Sequence, residues 1–101
     1  MTQHPTAEFR DGVLVVRGAI DLATAASVRA AAAEVPAELT PVVVDLGECT
    51  FLDSSGINEL VRIAADGRSV QLRRTPEPIR RLLDLAGVDE LLRTVDERDA
   101  G

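Results

Sequence analysis

The first twenty residues contain two short apolar runs separated by a turn signal. The runs cover residues 7–9 and 13–17, and the dipeptide Asp11-Gly12 lies between them. An Asp-Gly pair between short apolar segments is typical of a β-hairpin, because both residues tolerate the positive φ angles of a tight turn. The pattern therefore predicts an antiparallel pair of strands at the start of the fold.

A helical period follows the hairpin, over residues 22–35. Its apolar positions are spaced to lie on one helical face: Ala25, Val28, Ala32 and Val35. Asp21 precedes this segment at the position of an N-cap, where a carboxylate accepts hydrogen bonds from the first backbone N–H groups. We therefore predict a first helix over 22–35 that is capped by Asp21 and rich enough in alanine to approach a sheet closely.

The run Val42-Val43-Val44 is continuous rather than alternating. Such β-branched runs are typical of a central strand that is covered on both faces. The strand is predicted to end near Leu46. Asp45 then lies close to its end, as a solvated or hydrogen-bonded carboxylate.

A second helix is predicted over residues 55–66. Its apolar stripe has the spacing i, i+3, i+4, i+7, i+8 and consists of Ile57, Leu60, Val61, Ala64 and Ala65. The opposite face is predicted to be polar and to carry Asn58, Glu59, Arg62 and Asp66. Ile63 belongs to neither face at about 100° per residue, so it is either a core-edge residue or an exposed apolar contact for a partner.

A half-buried strand is predicted after the second helix. Gly67 ends that helix, and Val70 and Leu72 then alternate with polar residues. Near the end of the chain, we expect a short helical turn at 88–92 and a last strand at 93–95.

The third helix is predicted from its two ends. Thr75 is placed as the N-cap with Pro76 at the first helical position, and Gly87 with Val88 resembles a helix-ending motif. Its buried face is predicted to consist of Ile79, Leu82, Leu83 and Ala86.

Length and charge limit the possible functions. The chain has 101 residues, which suits a single domain, and we expect its ordered core to span about residues 7–95. It has 11 basic against 17 acidic residues and a formal net charge of −6, which disfavours binding to nucleic acid. All 11 basic residues are arginines, so lysine-dependent phosphate loops and Schiff bases are excluded.

No apolar run reaches membrane-spanning length and no signal peptide is apparent, so we expect a cytoplasmic protein without membrane insertion.

The scarcity of reactive side chains argues against catalysis. Cys49 is the only cysteine and His4 the only histidine, which excludes an internal disulfide, a cysteine metal cluster and a well-founded Ser-His-Asp triad. We therefore expect neither an enzyme nor a bound cofactor or metal.

Acidic residues and a serine follow two consecutive strands of the predicted order. Binding sites in parallel sheets gather at the carboxyl ends of the strands. If the two strands are neighbours, about 5 Å apart, then Asp21, Asp53 and Ser54 meet at one edge. Capping alone explains either carboxylate, and a metal site or glycosidase pair would need a cleft that a chain with 2% aromatic residues can hardly line. The expected meeting of Asp21, Asp53 and Ser54 at one edge of the sheet favours a binding or switching module.

The segment VVVDLGECTFLDSSGI, residues 42–57, resembles the signature of STAS domains of the anti-sigma-factor antagonist family. Residues 18–21, GAID, are similar to that family's strand-end motif Gly-Glu-Leu/Ile-Asp, and residues 75–88 resemble its C-terminal helix. The similarity covers nearly the whole chain in the family's order. It implies an α/β STAS fold with a small, mixed, mainly parallel sheet, right-handed crossovers and helices mainly on one face.

The resemblance also implies a bacterial partner switch that regulates transcription. In that family the serine directly after the aspartate is phosphorylated by an anti-sigma factor that is also a serine kinase. The unphosphorylated form binds this anti-sigma factor and frees a sigma factor, and a serine phosphatase resets the switch. Carried over, Ser54 is the phosphorylation site. The partner-binding residues are then Asp21, Asp53, Ser54, Ser55, Gly56, Asn58 and Ile63.

Two features depart from the family pattern. Ala19 replaces the usual acidic residue, and the predicted helix after Gly56 is about one turn shorter than usual, with Asn58 where a small residue is common. Both changes affect the docking surface. The alternative function is a non-enzymatic STAS adaptor in a larger assembly, such as a lipid-transport ATPase or a stress-sensing complex; such adaptors often lack the phosphorylatable serine.

Overall fold

Strands and helices alternate in the order that the periodicity predicts. The computed structural model describes residues 5–88 and 91–95, and for residues 94 and 95 only the backbone. Its elements are β1 (Ala7–Arg10), β2 (Val13–Ile20), α1 (Ala25–Ala32), β3 (Val42–Leu52), α2 (Ser54–Ala65), β4 (Val70–Arg73), α3 (Glu77–Ala86) and β5 (Leu92–Val95). The hairpin, the half-buried strand β4 and the last strand are confirmed. The turn predicted at 88–92 includes residues outside the described part.

The strands form one mixed sheet in the order β1-β2-β3-β4-β5. β1 pairs with β2 antiparallel, whereas β2, β3, β4 and β5 pair parallel with their neighbours. All three helical crossovers therefore move in the same direction along the sheet. Right-handed crossovers of this kind place their helices on the same face. The predicted fold class, a mainly parallel sheet with helices mainly on one side, is confirmed.

The core lies between the sheet and the helices. In β3, Val42, Val44 and Leu46 are almost fully buried, whereas Val43 between them is only half-buried. The prediction that both faces of this strand are covered is therefore wrong. Because every helix packs on one side, residues that point to the other side remain partly accessible to water.

Strand β3 is longer than predicted and continues to Leu52. Its second half pairs with β2 through Gly18–Cys49 and Ile20–Leu52, and two register shifts accommodate the polar interruption after Leu46. Asp45 consequently lies inside the strand and not near its end. The expectation of a hydrogen-bonded carboxylate is confirmed, since Asp45 Oδ1 accepts from the backbone N–H of Gly47 at 2.8 Å and from Arg74 Nε at 3.1 Å.

The first helix is shorter than the sequence pattern suggests. α1 begins at Ala25 with Thr24 as its N-cap, and it ends at Ala32, where turns lead to the buried Val35. The prediction that Asp21 caps this helix directly is wrong. A four-residue loop, residues 21–24, separates β2 from α1.

The third helix has the predicted ending and a later start. Pro76, in extended conformation, occupies the N-cap position predicted for Thr75. Gly87 adopts a left-handed conformation with φ of 72°, and the N–H of Val88 donates to the carbonyl of Leu83 at 3.3 Å. This pattern is a Schellman motif and confirms the predicted helix end. Ala86 is exposed, contrary to the predicted buried face, because it lies in the last turn.

The second helix matches its predicted span within one residue, but its buried face is rotated. Gly56, Leu60 and Ile63 face the core, and Ile63 is only 6% exposed. Of the two interpretations of Ile63, the core residue is confirmed and the exposed contact is wrong. Glu59, predicted on the polar face, is 4% exposed because α1 packs beside α2 and places Arg29 against it.

No helix in the described part of the chain is both long and apolar enough to cross a bilayer.

Candidate functional site

The two acidic loops leave the sheet at the same level. Ile20 and Leu52 are paired residues at the ends of the neighbouring parallel strands β2 and β3. The next residues are Asp21 and Asp53, and the N–H of Asp53 donates to the carbonyl of Ile20 at 3.1 Å. The adjacency that the convergence argument required is therefore present.

Asp53 is the N-cap of α2. Its backbone is extended, with φ of −97° and ψ of −172°, and its Oδ1 accepts hydrogen bonds from the N–H groups of Ser55 at 2.8 Å and Gly56 at 3.2 Å. Two of the backbone donors that a helix start leaves unsatisfied are thereby bound. Ser54 lies in the first helical position and is exposed, whereas Ser55 is half-buried.

Gly56 allows α2 to start against the end of β2. A Cβ atom at this position would lie 2.9 Å from Ile20 Cγ2, from the carbonyl oxygen of Ile20 and from Leu52 Cδ2. Cβ atoms essentially never approach non-bonded atoms this closely, so the backbone would have to shift. The glycine therefore keeps Ser54 and the carboxylate of Asp53 close to the loop that carries Asp21.

Asp21 stabilises a loop instead of a helix start. Its Oδ1 accepts hydrogen bonds from the N–H groups of Ala23 at 3.0 Å and Thr24 at 3.1 Å. The Thr24 hydroxyl accepts from the N–H of Asp21 at 3.0 Å and lies within hydrogen-bond distance of both Ala19 O and Asp21 Oδ1. These bonds close the loop and delay the helix to Ala25. The Thr24 contribution was missed in the sequence, although a threonine directly before an alanine run is a recognised capping signal.

The second carboxylate oxygen of each aspartate is accessible. Asp21 and Asp53 both use Oδ1 for backbone donors, and within the described residues Oδ2 makes no hydrogen bond in either case. Both side chains are only half-buried. A partner can therefore contact two negative oxygens without breaking the bonds that hold the loops.

Two large apolar side chains flank these carboxylates. Leu22 is 81% exposed in the first loop, and Phe51 is 47% exposed near the end of β3, opposite Ala19 of β2. Contiguous exposed apolar area with a polar rim marks protein–protein contact surfaces, whereas a single exposed leucine is common, as Leu85 at 86% exposure shows. Sequence reasoning missed both residues: Leu22 was assigned to a helix, and only strand register shows that Phe51 points away from the core.

An ion pair between the buried Glu59 and the largely exposed Arg29 connects the helices that follow the two loops. Glu59 Oε2 accepts from Arg29 Nη2 at 2.6 Å and its Oε1 accepts from Arg29 Nε at 3.2 Å. The hydrogen bond from Arg29 lowers the pKa of Glu59 below its usual value despite the opposing effect of burial. The pair thus fixes α1 relative to α2.

The remaining predicted site residues are divided between the surface and the core. Asn58 is exposed on α2, beyond Gly56, so it can extend the surface formed by Asp53 and Ser54. Ile63 is buried two turns further along the helix and lies outside that surface. The described residues contain no group of three or more histidine, cysteine or acidic side chains that could hold a metal ion.

Comparison with known families agrees with this geometry. Residues 4–94 match the family model described as "Mlab, STAS domain". The chain belongs to the STAS-domain family. No curated protein matches it by sequence.

Two solved structures are similar to this chain. An anti-sigma factor antagonist from Mycobacterium paratuberculosis is 30% identical, with a TM-score of 0.69, and the match covers 87% of this chain and 80% of that one. A protein proposed to be an anti-sigma factor antagonist, from Thermotoga maritima, is 17% identical, with a TM-score of 0.66 over 89% of this chain and 84% of that one. The second likeness supports the fold alone.

Proposed function

We propose that this STAS domain is an anti-sigma factor antagonist that acts in a partner switch. The observation that carries the proposal is the adjacency of Asp21 and Asp53 at paired strand ends, with Ser54 exposed at the start of α2. The 30% identical mycobacterial relative, an anti-sigma factor antagonist, supports the same role. The protein is regulatory and not catalytic in this proposal.

When Ser54 is unphosphorylated, the sheet edge that carries Asp21, Asp53 and Ser54 provides the docking surface for an anti-sigma factor. Asp21 and Asp53 present accessible carboxylate oxygens, and Leu22 and Phe51 add apolar area that a partner can bury. Burying apolar groups gives affinity, whereas the charged groups set orientation and specificity. We expect the matching surface of the anti-sigma factor to be basic around an apolar centre.

Phosphorylation of Ser54 by a serine kinase, which the resemblance to anti-sigma-factor antagonists implies is the anti-sigma factor itself, would turn binding off. A phosphoryl group adds about −1.5 to −2 charges at neutral pH. The α2 N-terminus favours this charge by about 0.3–1 kcal/mol, and the nearby carboxylates of Asp53 and Asp21 oppose it by repulsion of similar size. The fold should therefore change little. The segment 47–60 contains no basic residue, so the new charge would enter the interface without compensation from this loop.

Ser54 is a better acceptor than Ser55 because its side chain is exposed. Ser55 is half-buried, and its N–H is bound by the Asp53 carboxylate. A serine phosphatase would restore the unphosphorylated form. The protein would work in the cytoplasm, where its transcriptional partners act.

The test combines partner capture with variants of Ser54. Tagged wild-type protein, Ser54→Ala and Ser54→Asp are used to capture partners from native lysate, and bound proteins and phosphopeptides are identified by mass spectrometry. We expect Ser54→Ala to retain a kinase-fold anti-sigma factor constitutively and Ser54→Asp to lose it while melting like the wild type. Phosphate on Ser55 alone, or on neither serine after incubation with the captured kinase and ATP, would defeat the assignment. Recovery of a transport ATPase or a stress-sensing assembly would instead support the adaptor function.

A further inference from the structure

A concave region lies beside the C-terminal part of α2. An open cavity of about 560 Å³ is formed by the C-terminal halves of α1 and α2 and by the loops that follow them. Its lining on α2 begins at Glu59, about 7.5 Å along the helix axis from Ser54, and continues past the end of the helix. Its volume falls in the range of about 300–1,000 Å³ that is typical of small-molecule sites.

One wall of this cavity, here called the α1–α2 cavity, is apolar and made of small side chains. The residues that form it are Ala32, Ala33, Val35, Ala37 and Ile63. Three of the five are alanines, and their short side chains leave open a space that longer side chains would fill. An apolar group of a ligand can be buried there.

Three guanidinium groups line the polar side of the cavity. Arg29 is held by Glu59 through two hydrogen bonds, which leaves that carboxylate neutralised. Arg62 Nε lies 3.8 Å from Glu59 Oε1, too far for a hydrogen bond, and its side chain is 65% exposed. Arg62 can therefore turn towards an anion in the cavity at little cost.

Arg68 is the third guanidinium and is fixed in place. Its Nη2 donates to the carbonyls of Leu39, at 3.3 Å, and Pro36. Its Nε is buried and makes no hydrogen bond to any residue in ranges 5–88 and 91–95. A buried donor without an acceptor is unfavourable, and a shift of the Arg68 side chain that let Nε reach an acceptor in the cavity would relieve that cost.

The charge of the lining is positive although the chain as a whole is acidic. Three arginines face two carboxylates, those of Glu59 and Asp66, in a chain with a formal charge of −6. Arginines near a helix C-terminus also complement the helix dipole, which accounts for Arg29 and Arg62. The dipole does not account for the unsatisfied Nε of Arg68 or for the apolar wall beside it.

We propose that the α1–α2 cavity binds a small organic anion. Arg62 and Arg68 hold its carboxylate or phosphate group, since guanidinium matches both groups in geometry and charge. The apolar part of the ligand lies against Ala33 and Ile63. The proposal is independent of the partner switch, because none of the docking residues Asp21, Leu22, Phe51, Asp53 and Ser54 lines the cavity.

The test is an NMR titration of the labelled full chain with four matched probes. Phenyl phosphate and benzoate carry both an anion and an apolar ring, inorganic phosphate carries only the anion, and benzyl alcohol has the ring without the charge. We expect phenyl phosphate or benzoate to shift the amides of residues 29–37 and 59–68 and to bind at least about tenfold more tightly than the other two probes. The better of the two identifies the preferred anion.

Three variants connect the binding to the cavity. Arg62→Gln should weaken binding of the better probe about tenfold or more, whereas Arg80→Gln, an exposed arginine on α3, should leave it unchanged. Ala33→Leu should block the cavity; if it fails to fold, Arg62→Gln decides, since that side chain is exposed. Equal affinities of Arg62→Gln and Arg80→Gln, shifts confined to residues 53–56, or no gain from the ring would each overturn the proposal.

Discussion

The loops after β2 and β3 leave paired residues of neighbouring strands and begin with the same amino acid, yet they form different structures. After Asp53 the helix begins at once, because Gly56 in its first turn can lie against Ile20. After Asp21 the chain makes a hydrogen-bonded loop, because the Thr24 hydroxyl binds the backbone locally and the helix starts only at Ala25. An aspartate after a strand thus predicts a carboxylate bound by backbone N–H groups. Where the helix starts depends on the following three residues.

The largest expected effect comes from filling the contact that makes the second loop tight. Gly56→Ala places a methyl group 2.9 Å from a backbone oxygen and two buried side-chain carbons, and we expect a loss of about 1–3 kcal/mol in unfolding free energy. Chemical denaturation measures the loss. Gly18→Ala separates close approach from backbone strain: nothing lies within 4 Å of a Cβ there, but the φ of +73° strains any side chain, so we expect a smaller loss that comes from the backbone alone. If Gly56→Ala is as stable as the wild type, close approach does not distinguish the two loops.

Removal of the helix cap should have the next largest effect. Asp53→Ala leaves the N–H groups of Ser55 and Gly56 without their acceptor, and the expected cost is about 1 kcal/mol. Asp53→Asn keeps an acceptor oxygen and should be nearly neutral. Thermal unfolding of both variants checks this prediction, and equal losses would show that the charge matters more than the hydrogen bonds.

The ion pair between the two helices should make stability depend on pH in one direction. The pKa of Glu59 is lower in the folded state than its ordinary value of 4.5, so its ionised form stabilises the fold above that pH. This contribution is lost as the pH falls below 4.5 and through the folded-state pKa. Glu59→Gln should therefore be less stable than the wild type at neutral pH, and the difference should shrink in acid.

Urea denaturation of both proteins at neutral pH and well below pH 4.5 measures that difference. At neutral pH the loss should be smaller than for Asp53→Ala, because glutamine can still accept a hydrogen bond from Arg29. A difference that stays constant with pH would mean that Glu59 contributes by packing and not by its charge.

The smallest effect on stability is expected at Asp21. Asp21→Asn retains Oδ1 as acceptor for Ala23 and Thr24, so the melting temperature should stay close to that of the wild type. The charge of the accessible oxygen is lost, and binding of the anti-sigma partner or phosphorylation of Ser54 should weaken. Wild-type binding and phosphorylation by this variant would show that Asp21 serves only the loop.

The order of elements and the placement of Asp21, Asp53 and Ser54 at one edge could be predicted because both depend on local patterns. Hydrophobic period, turn dipeptides and the Asp-Ser-Ser-Gly segment are all readable within a few residues. The burial of Glu59 could not be predicted, since its partner Arg29 lies 30 residues away on a neighbouring helix. The extension of β3 to Leu52 was missed for a similar reason: it depends on register shifts against β2. Leu22 and Phe51 were missed because loop conformation and strand register decide their exposure.

The hydrogen bond from the Asp53 N–H to the Ile20 carbonyl extends the sheet ladder one step beyond the last strand pair. Amides in such ladders exchange with solvent only when the structure opens, so the backbone just before Ser54 is held on the timescale of local unfolding. The serine therefore stands on a rigid support instead of a mobile loop. Charge added by phosphorylation of Ser54 would therefore change the surface that a partner contacts without a conformational change of the domain.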